Sequence, residues 1–396
     1  MTVRVNKSSF NIREKLSELG RKFGLKGSEL AAAETVQEAR DVVSAGRKNM
    51  IINGACMVNQ RFDSGTYTLT NSAAYFPVDR FRSWAAGGGQ FTIQRSDNAP
   101  PGFKNSLMFT VSTADSSIAS GDYYTIQHRV EGYNFAHLNW GTNNAKPVTL
   151  SFWVKADITG NYGISFWNSG QSYNYVTSYN INDADTWEYK TITIPGAIGG
   201  TWLTNNGIGF GIWWDLGSGS QYGTSTTETW GQNGKFWATG STQMIKTSGA
   251  KFRMTGVQLE VGRNATDFEY RPYGEELSLC QRYYQKMYFT TSDYPFGYCY
   301  TYNQGNSACG IPLAAPMRTS SPDITFSSLR IRGFNQDGTN GSQVISNITG
   351  QTQESHAILQ ADLSHNNVSS AAIGAASVLT NAISNSSSYL AIDAEL

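Results

Sequence analysis

TLSFWVKAD, residues 149–157, alternates Leu150, Phe152 and Val154 with Ser151, Trp153 and Lys155. Successive side chains of a strand point to opposite faces of a sheet, so this alternation marks a strand with one face buried. The same texture returns in TWEYKTITIP (186–195), GIGFGIWWDL (207–216) and KFRMTGVQLEVG (251–262). MIINGACMVNQRF (50–62) reads as a strand, a glycine turn and a second strand. Between these runs lie turn-forming stretches such as TGN (159–161), NSGQSYN (168–174) and GSGSQYG (217–223). Short strands joined by Gly/Ser/Asn turns, with no helix between them, predict an antiparallel jelly-roll sandwich over residues 50–274.

Outward from that core the texture changes twice. Over residues 1–49, Ile12, Leu16, Leu19 and Phe23 recur at spacings of four, three and four, a heptad-like helical stripe. Asn11 reads as its N-cap and Gly24 as its stop; Thr35 with Glu38 reads as the capping box of a second helix that ends at Gly46. Helices this short are marginal alone in water and need something to pack on. On the other side, PYGEELSLCQRYYQK (272–286) places Glu275 and Glu276 in a first turn, where acids suit a helix dipole, with Arg282 and Lys286 near its end. It predicts a linker helix over 275–286. Beyond it, ITFSSLRIRGF (324–334), SQVISNITG (342–350) and SYLAIDAEL (388–396) are strand-like islands among Asn, Gly and Ser turns, predicting a smaller C-terminal β-sandwich within 275–396. The fold class is mainly β.

Composition narrows function. The 396 residues have a formal charge of zero and only 15% charged side chains. A nucleic-acid binder normally carries a basic excess to displace counterions, so that class is set aside. Charge is uneven: residues 1–49 hold ten Lys and Arg against six Asp and Glu, a net of +4. Residues 288–396 hold three against seven, a net of −4, with no lysine. No apolar run approaches the roughly 18 residues of a membrane span, and the N-terminal stretch has no signal-peptide core. Cys56, Cys280, Cys299 and Cys309 lack zinc spacing. A bridge between Cys299 and Cys309 is open in an oxidising medium, although free buried thiols are the reading preferred.

No cofactor or metal is implied. His128, His137, His356 and His365 have no ligand spacing, and GSGSQYG lacks the last glycine and the strand–helix context of a dinucleotide loop. Glycoside cleavage needs two carboxylates roughly 5–10 Å apart. Asp183, Asp185 and Glu188 cluster, with Asp157 and Asp215 more loosely spaced, but solvated turn acids explain them as well. The materials for sugar binding are better represented, since aromatic rings stack on the apolar face of a pyranose. Trp153 falls on the polar side of its strand; of the adjacent Trp213 and Trp214, one must point away from the core. Trp230, Tyr173 and Tyr175 lie in Gly/Ser-rich stretches. The same aromatics also suit packing under loops or subunit contacts.

RKNMIINGACMVNQRF (47–62), VDRFRSW (78–84), the strands above and GVQLEVGRNATDFEYRPYGEELSLCQRYYQK (256–286) together resemble a family of bacteriophage virion structural proteins, described as tail fibre or tail fibre-like. VNKSSFNIREKLSEL (5–19) resembles the opening of marine and cyanobacterial phage structural proteins, and MRTSSPDITF (317–326) with SYLAIDAEL resembles that family's C-terminal β-domain. The 256–286 block is the most specific part, and the likeness spans nearly the whole chain. It departs at Cys56, where an acidic or bulky residue is usual, which argues against a calcium or ligand role for that loop. The resemblance implies a non-enzymatic virion part on the tail or another external appendage. Its central domain would be like a carbohydrate-binding module, and its assembly a homotrimer. Partners would be other virion proteins, reached through Ile12, Leu16, Leu19 and Phe23, and a host surface glycan. The rival readings are a decoration or adaptor protein of the same particle and a polysaccharide-degrading tailspike.

Overall fold

In the computed structural model, TLSFWVKAD lies in a strand whose Leu150, Phe152 and Val154 are fully buried. The structure describes residues 48–61, 65–70, 74–231, 234–289, 295–303, 305–334, 340–353, 356–365, 376–381 and 388–396. The stripe of Ile12, Leu16, Leu19 and Phe23 lies outside the described residues. In chain order the first strands are β1 (Tyr67–Leu69), β2 (Ala74–Val78), β3 (Phe81–Ala86), β4 (Gln90–Ser96), β5 (Ser106–Thr113), β6 (Tyr123–Glu131) and β7 (Val148–Ala156). There follow β8 (Gly160–Trp167), β9 (Asn174–Ile181), β10 (Glu188–Ile194), β11 (Ile208–Asp215), the short β12 (Gly223–Thr224) and β13 (Trp237–Ala238), and β14 (Lys251–Val261).

Two six-stranded antiparallel sheets stack face to face, ordered β1-β4-β5-β14-β7-β10 and β2-β3-β6-β11-β8-β9. Their inner faces interdigitate through aromatic rings. Phe152 of the first sheet meets Trp214 of the second edge-on at 6.0 Å, and Phe252 meets Tyr162 at 6.0 Å. The mainly β class and the central sandwich are as read from the sequence. Residues 50–61 are not: they form no strand, but an irregular segment laced into the sandwich. Gly54 explains why. A Cβ there would sit 2.1 Å from the Val257 carbonyl oxygen, so the two backbones touch where a strand's side chain would be. Asn53, buried in the left-handed region, donates to the carbonyls of Val58 and Asp79 and holds the turn.

The helix that follows, α1 (Tyr273–Gln281), is shorter than expected, and its downstream half is a strand, β15 (Tyr284–Phe289). The remaining strands are β16 (Pro295–Asn303), β17 (Asn306–Pro312), β18 (Asp323–Ser327), β19 (Leu329–Phe334), β20 (Asn340–Gln353), β21 (His356–His365), β22 (Ala376–Asn381) and β23 (Ser388–Asp393). β15 leaves the helix because it pairs along its whole length with β23, from Tyr284 opposite Asp393 to Phe289 opposite Ser388. β23 also pairs with β18, making a three-stranded sheet. The other six strands close into a barrel, β16-β17-β21-β20-β19-β22, rather than an open sandwich. Closure leaves no unpaired edge among them. Cys299 and Cys309, opposite each other on β16 and β17, form a disulfide, correcting the preference for free thiols.

The helix is packed against the sandwich. Cys280 and Tyr283 pack with Ile52 and Val58 in a separate small core. Glu276 is buried and accepts a hydrogen bond from the Asn53 backbone N–H and an ion pair from Arg271. Beside it, buried Glu131 accepts two bonds from Arg282, at 2.9 and 2.6 Å, and one from the Tyr283 hydroxyl at 2.6 Å. Helix and β15 are thus bonded into the sandwich.

Candidate functional site

The structure sends the six aromatic candidates to four places. Trp214 and Tyr175 point inward and belong to the core between the sheets. Trp213 points outward but is covered: Trp167, Phe236 and Trp237 bury it, with its ring 4.4 Å from that of Phe236. Gly211 seats this cluster, since a Cβ there would fall 2.1 Å from the Trp167 indole. Tyr173 and Trp230 are half-buried and parallel to within 3° at the end of the second sheet. Tyr173 lies flat on Gly199 and Gly200, and the Trp230 indole N–H donates to the Pro195 carbonyl. Trp153 is half-buried on an outward sheet face.

That face is the outer side of the first sheet. Tyr189 stands opposite Trp153 in register, with ring centroids 5.4 Å apart. On the other flank, β14 carries a bulge between Thr255 and Gln258, and Gly256 occupies it with φ +62°. A Cβ at Gly256 would meet Phe103 at 2.7 Å and Trp153 at 3.0 Å, so the bulge glycine lets those two rings approach over bare backbone. Phe103 then touches Phe268 (5.0 Å) and Tyr270 (5.5 Å). Five rings run in one shelf from Tyr189 to Tyr270, whose side chains are 44% and 59% exposed at its two ends. Burial raises the Tyr189 phenol pKa; the Ser151 side-chain hydrogen bond lowers it, while nearby Glu260 and Asp267 raise it. The phenol therefore stays protonated as a hydroxyl donor. The sequence pointed to Trp153 alone. Tyr189 was findable by strand parity, whereas Phe103, Phe268 and Tyr270 come from irregular segments that carry no periodicity.

Glu188, Asp185 and Asp157 are each bonded to neighbours. Glu188 accepts the backbone N–H groups of Asn182 and Asp183 and binds Lys190; Asp185 binds Lys155 at 2.8 Å. Asp157 accepts the Lys251 backbone N–H. Among the described residues no group of His, Cys, Asp and Glu is arranged to hold a metal. His128 is buried against the Ile52 carbonyl, and burial pushes its pKa down to about 3.

Asp215 is fully buried, accepting the Ser218 hydroxyl, and burial pushes its pKa up to about 7 against the pull of that bond and of the Gly217 N–H. The folded state therefore keeps its proton where the unfolded chain, with an ordinary value of 3.8, has lost it. Stability is full below the unfolded value and declines as pH rises toward the folded one. Asp215→Asn should match the parent near pH 4 and exceed it by about 4 kcal/mol at pH 8, read by urea unfolding at both. Equal stabilities at pH 8 would refute the assignment.

No protein-family model matches the chain, and no curated protein matches its sequence. Among solved structures it is similar to the enzymatically active domain of a tailspike protein of bacteriophage CBA120, at 13% identity and a TM-score of 0.29. That match covers 54% of this chain but only 21% of the tailspike's length. It is also similar to a putative sugar-binding protein from Bacteroides thetaiotaomicron, at 10% identity and a TM-score of 0.31, over 54% of this chain and 100% of the other. A tandem carbohydrate-binding-module domain from Paenibacillus barcinonensis matches over 84% of this chain and 96% of its own, at 8% identity and a TM-score of 0.25. At these scores the likeness assigns no residue of this chain a role.

Proposed function

We propose that the protein is a virion structural component of the tail-fibre type, whose sandwich binds a host surface carbohydrate on the Trp153 shelf. The observation that carries the binding reading is the shelf itself: five neighbouring rings on the outer side of the first sheet, exposed at both ends. Contiguous apolar surface left open to water marks an interaction site, and rings edged by hydroxyls and carboxylates match the mixed character of a sugar. The virion reading rests on the resemblance of residues 256–286, which supply Phe268 and Tyr270 to the shelf. Residues 1–49 would then anchor the chain to the particle through Ile12, Leu16, Leu19 and Phe23, in a homotrimer, and the protein would bind glycan without cleaving it.

A glycan array probed with the full chain tests this. Binding should fall at least tenfold in Trp153→Ala and Tyr189→Ala, with melting temperature nearly unchanged, because both side chains lie on the solvent side of the sheet. An empty array would overturn the recognition reading and leave the decoration role. Release of reducing sugar from a bound polysaccharide would overturn the non-enzymatic part, and normal particle incorporation of a chain lacking residues 1–49 would overturn the anchor.

A further inference from the structure

We propose that the outer wall of the C-terminal barrel carries a second carbohydrate site: a trough beside a tyrosine ridge that takes a linear, uncharged oligosaccharide. On β16, Tyr298, Tyr300 and Tyr302 occupy alternate positions on the outward face and are 79%, 52% and 43% exposed. Strand register fixes what lies beside them. Tyr298 stands opposite Gly310, Gly310 opposite Gln360, and Gln360 opposite Gln351. One step along, Tyr300 stands opposite Ala308, then Asp362, then Thr349. Each row thus reads ring, small residue, polar side chain, polar side chain. The small residues make a floor, and the amides, carboxylate and hydroxyl line with them a cavity of about 750 Å³; register sets the rings along its β16 side. A Cβ built on Gly310 would meet nothing within 4 Å, so the floor is open space and not a packed seam.

The chemistry of this trough selects its ligand. Ring to far wall spans two strand spacings, roughly 9.5 Å, and successive rings are about 6.7 Å apart along the strand. That admits an extended chain of six-membered rings lying along β16, stacked on the tyrosines, with its hydroxyls toward Gln360, Gln351 and Asp362. Asp362 is the charged side chain of the lining. The site therefore repels polyanions, which excludes uronate-rich or sulfated polymers and nucleic acid.

Affinity electrophoresis of the full chain through laminarin, galactomannan, xyloglucan and alginate decides the matter. The Trp153→Ala protein serves as background, so that a failure of the sandwich shelf is read separately. At least one neutral polysaccharide should retard that protein, and alginate should not. Tyr298→Ala with Tyr300→Ala, and independently Gly310→Val, should each weaken the retardation at least tenfold. Gly310→Val fills the floor with a strand-favouring side chain, and an unchanged near-ultraviolet circular dichroism spectrum confirms its fold. Absence of retardation by all three neutral polymers overturns the site, as does retardation indifferent to both variants. A lower sedimentation coefficient in the tyrosine double variant would instead make the ridge a contact between copies of the chain, and would also overturn it.

Discussion

Glu395→Ala should destabilise the protein by about 3–5 kcal/mol, the loss usual when one member of a buried ion pair is removed. Four arginines distant in sequence converge on residues 393–396. Arg80, almost fully buried, pairs with the Glu395 carboxylate, and Arg61 pairs with Asp393 at 2.6 Å and reaches Glu395 at 3.5 Å. Arg318 donates to the carbonyls of Ala394 (2.6 Å) and Glu395 (3.0 Å), and Arg129 donates to that of Leu396. Two guanidiniums also lie on rings that follow the helix: Arg80 is 3.5 Å from the Tyr283 centroid and Arg61 3.7 Å from that of Tyr284. Burial works against the charge on Arg61, but Asp393 and Glu395 outweigh it and hold its pKa above the ordinary value. Arg129 shows the opposite balance. Burial, with Arg82 and Arg80 adding repulsion, brings it down to about 9, and Glu395 opposes that fall. Removing Glu395 therefore takes the carboxylate from buried Arg80 and leaves Arg61 with Asp393 alone, whereas Glu395→Gln keeps an acceptor and should cost less. A loss below about 1 kcal/mol by urea unfolding would contradict this account of the seam.

Trp214→Ala should cost a comparable 3–5 kcal/mol, the range for truncating a large aromatic in a packed core. Its indole is fully buried between the sheets, near Phe81 (6.4 Å) and Phe152 (6.0 Å). The indole N–H meets no acceptor there, so Trp214→Phe removes an unsatisfied donor along with some volume and should cost under about 1.5 kcal/mol. Set beside Trp153→Ala, the pair separates two roles that look alike in sequence. One tryptophan should affect folding with binding intact in the surviving folded fraction; the other should affect binding with folding intact. If Trp214→Ala melted like the parent, the inward placement of β11 would be wrong.

Strand parity explains what was legible and what was not. In β7, β10, β11 and β14 the alternation is strong enough to mark strands, and all four formed. For the Trp213–Trp214 pair, parity says that they part company, but not that Phe236 and Trp237 will return from far along the chain to cover the outward one. The Trp153 shelf needed a bulge glycine and two irregular segments, and none of these has a period to read. RYYQK (282–286) looked like the end of a helix because Arg282 and Lys286 suit a helix C-terminus; the true partner of its strand, β23, lies about a hundred residues on. Barrel closure and the Cys299–Cys309 bridge depend likewise on long-range register.

The pairing of β15 with β23 has a consequence for how such a molecule can diversify. The chain leaves for the barrel along one strand and comes back along its neighbour, roughly 4.8 Å away. The barrel strands are in effect a graft on a stem of β15, β23 and β18, and lengthening or recasting their connections alters loop-closure entropy only logarithmically. Stem and arginine clasp can stay constant while the tip is exchanged, so a lineage under pressure to greet new surfaces can change its tip without rebuilding its trunk.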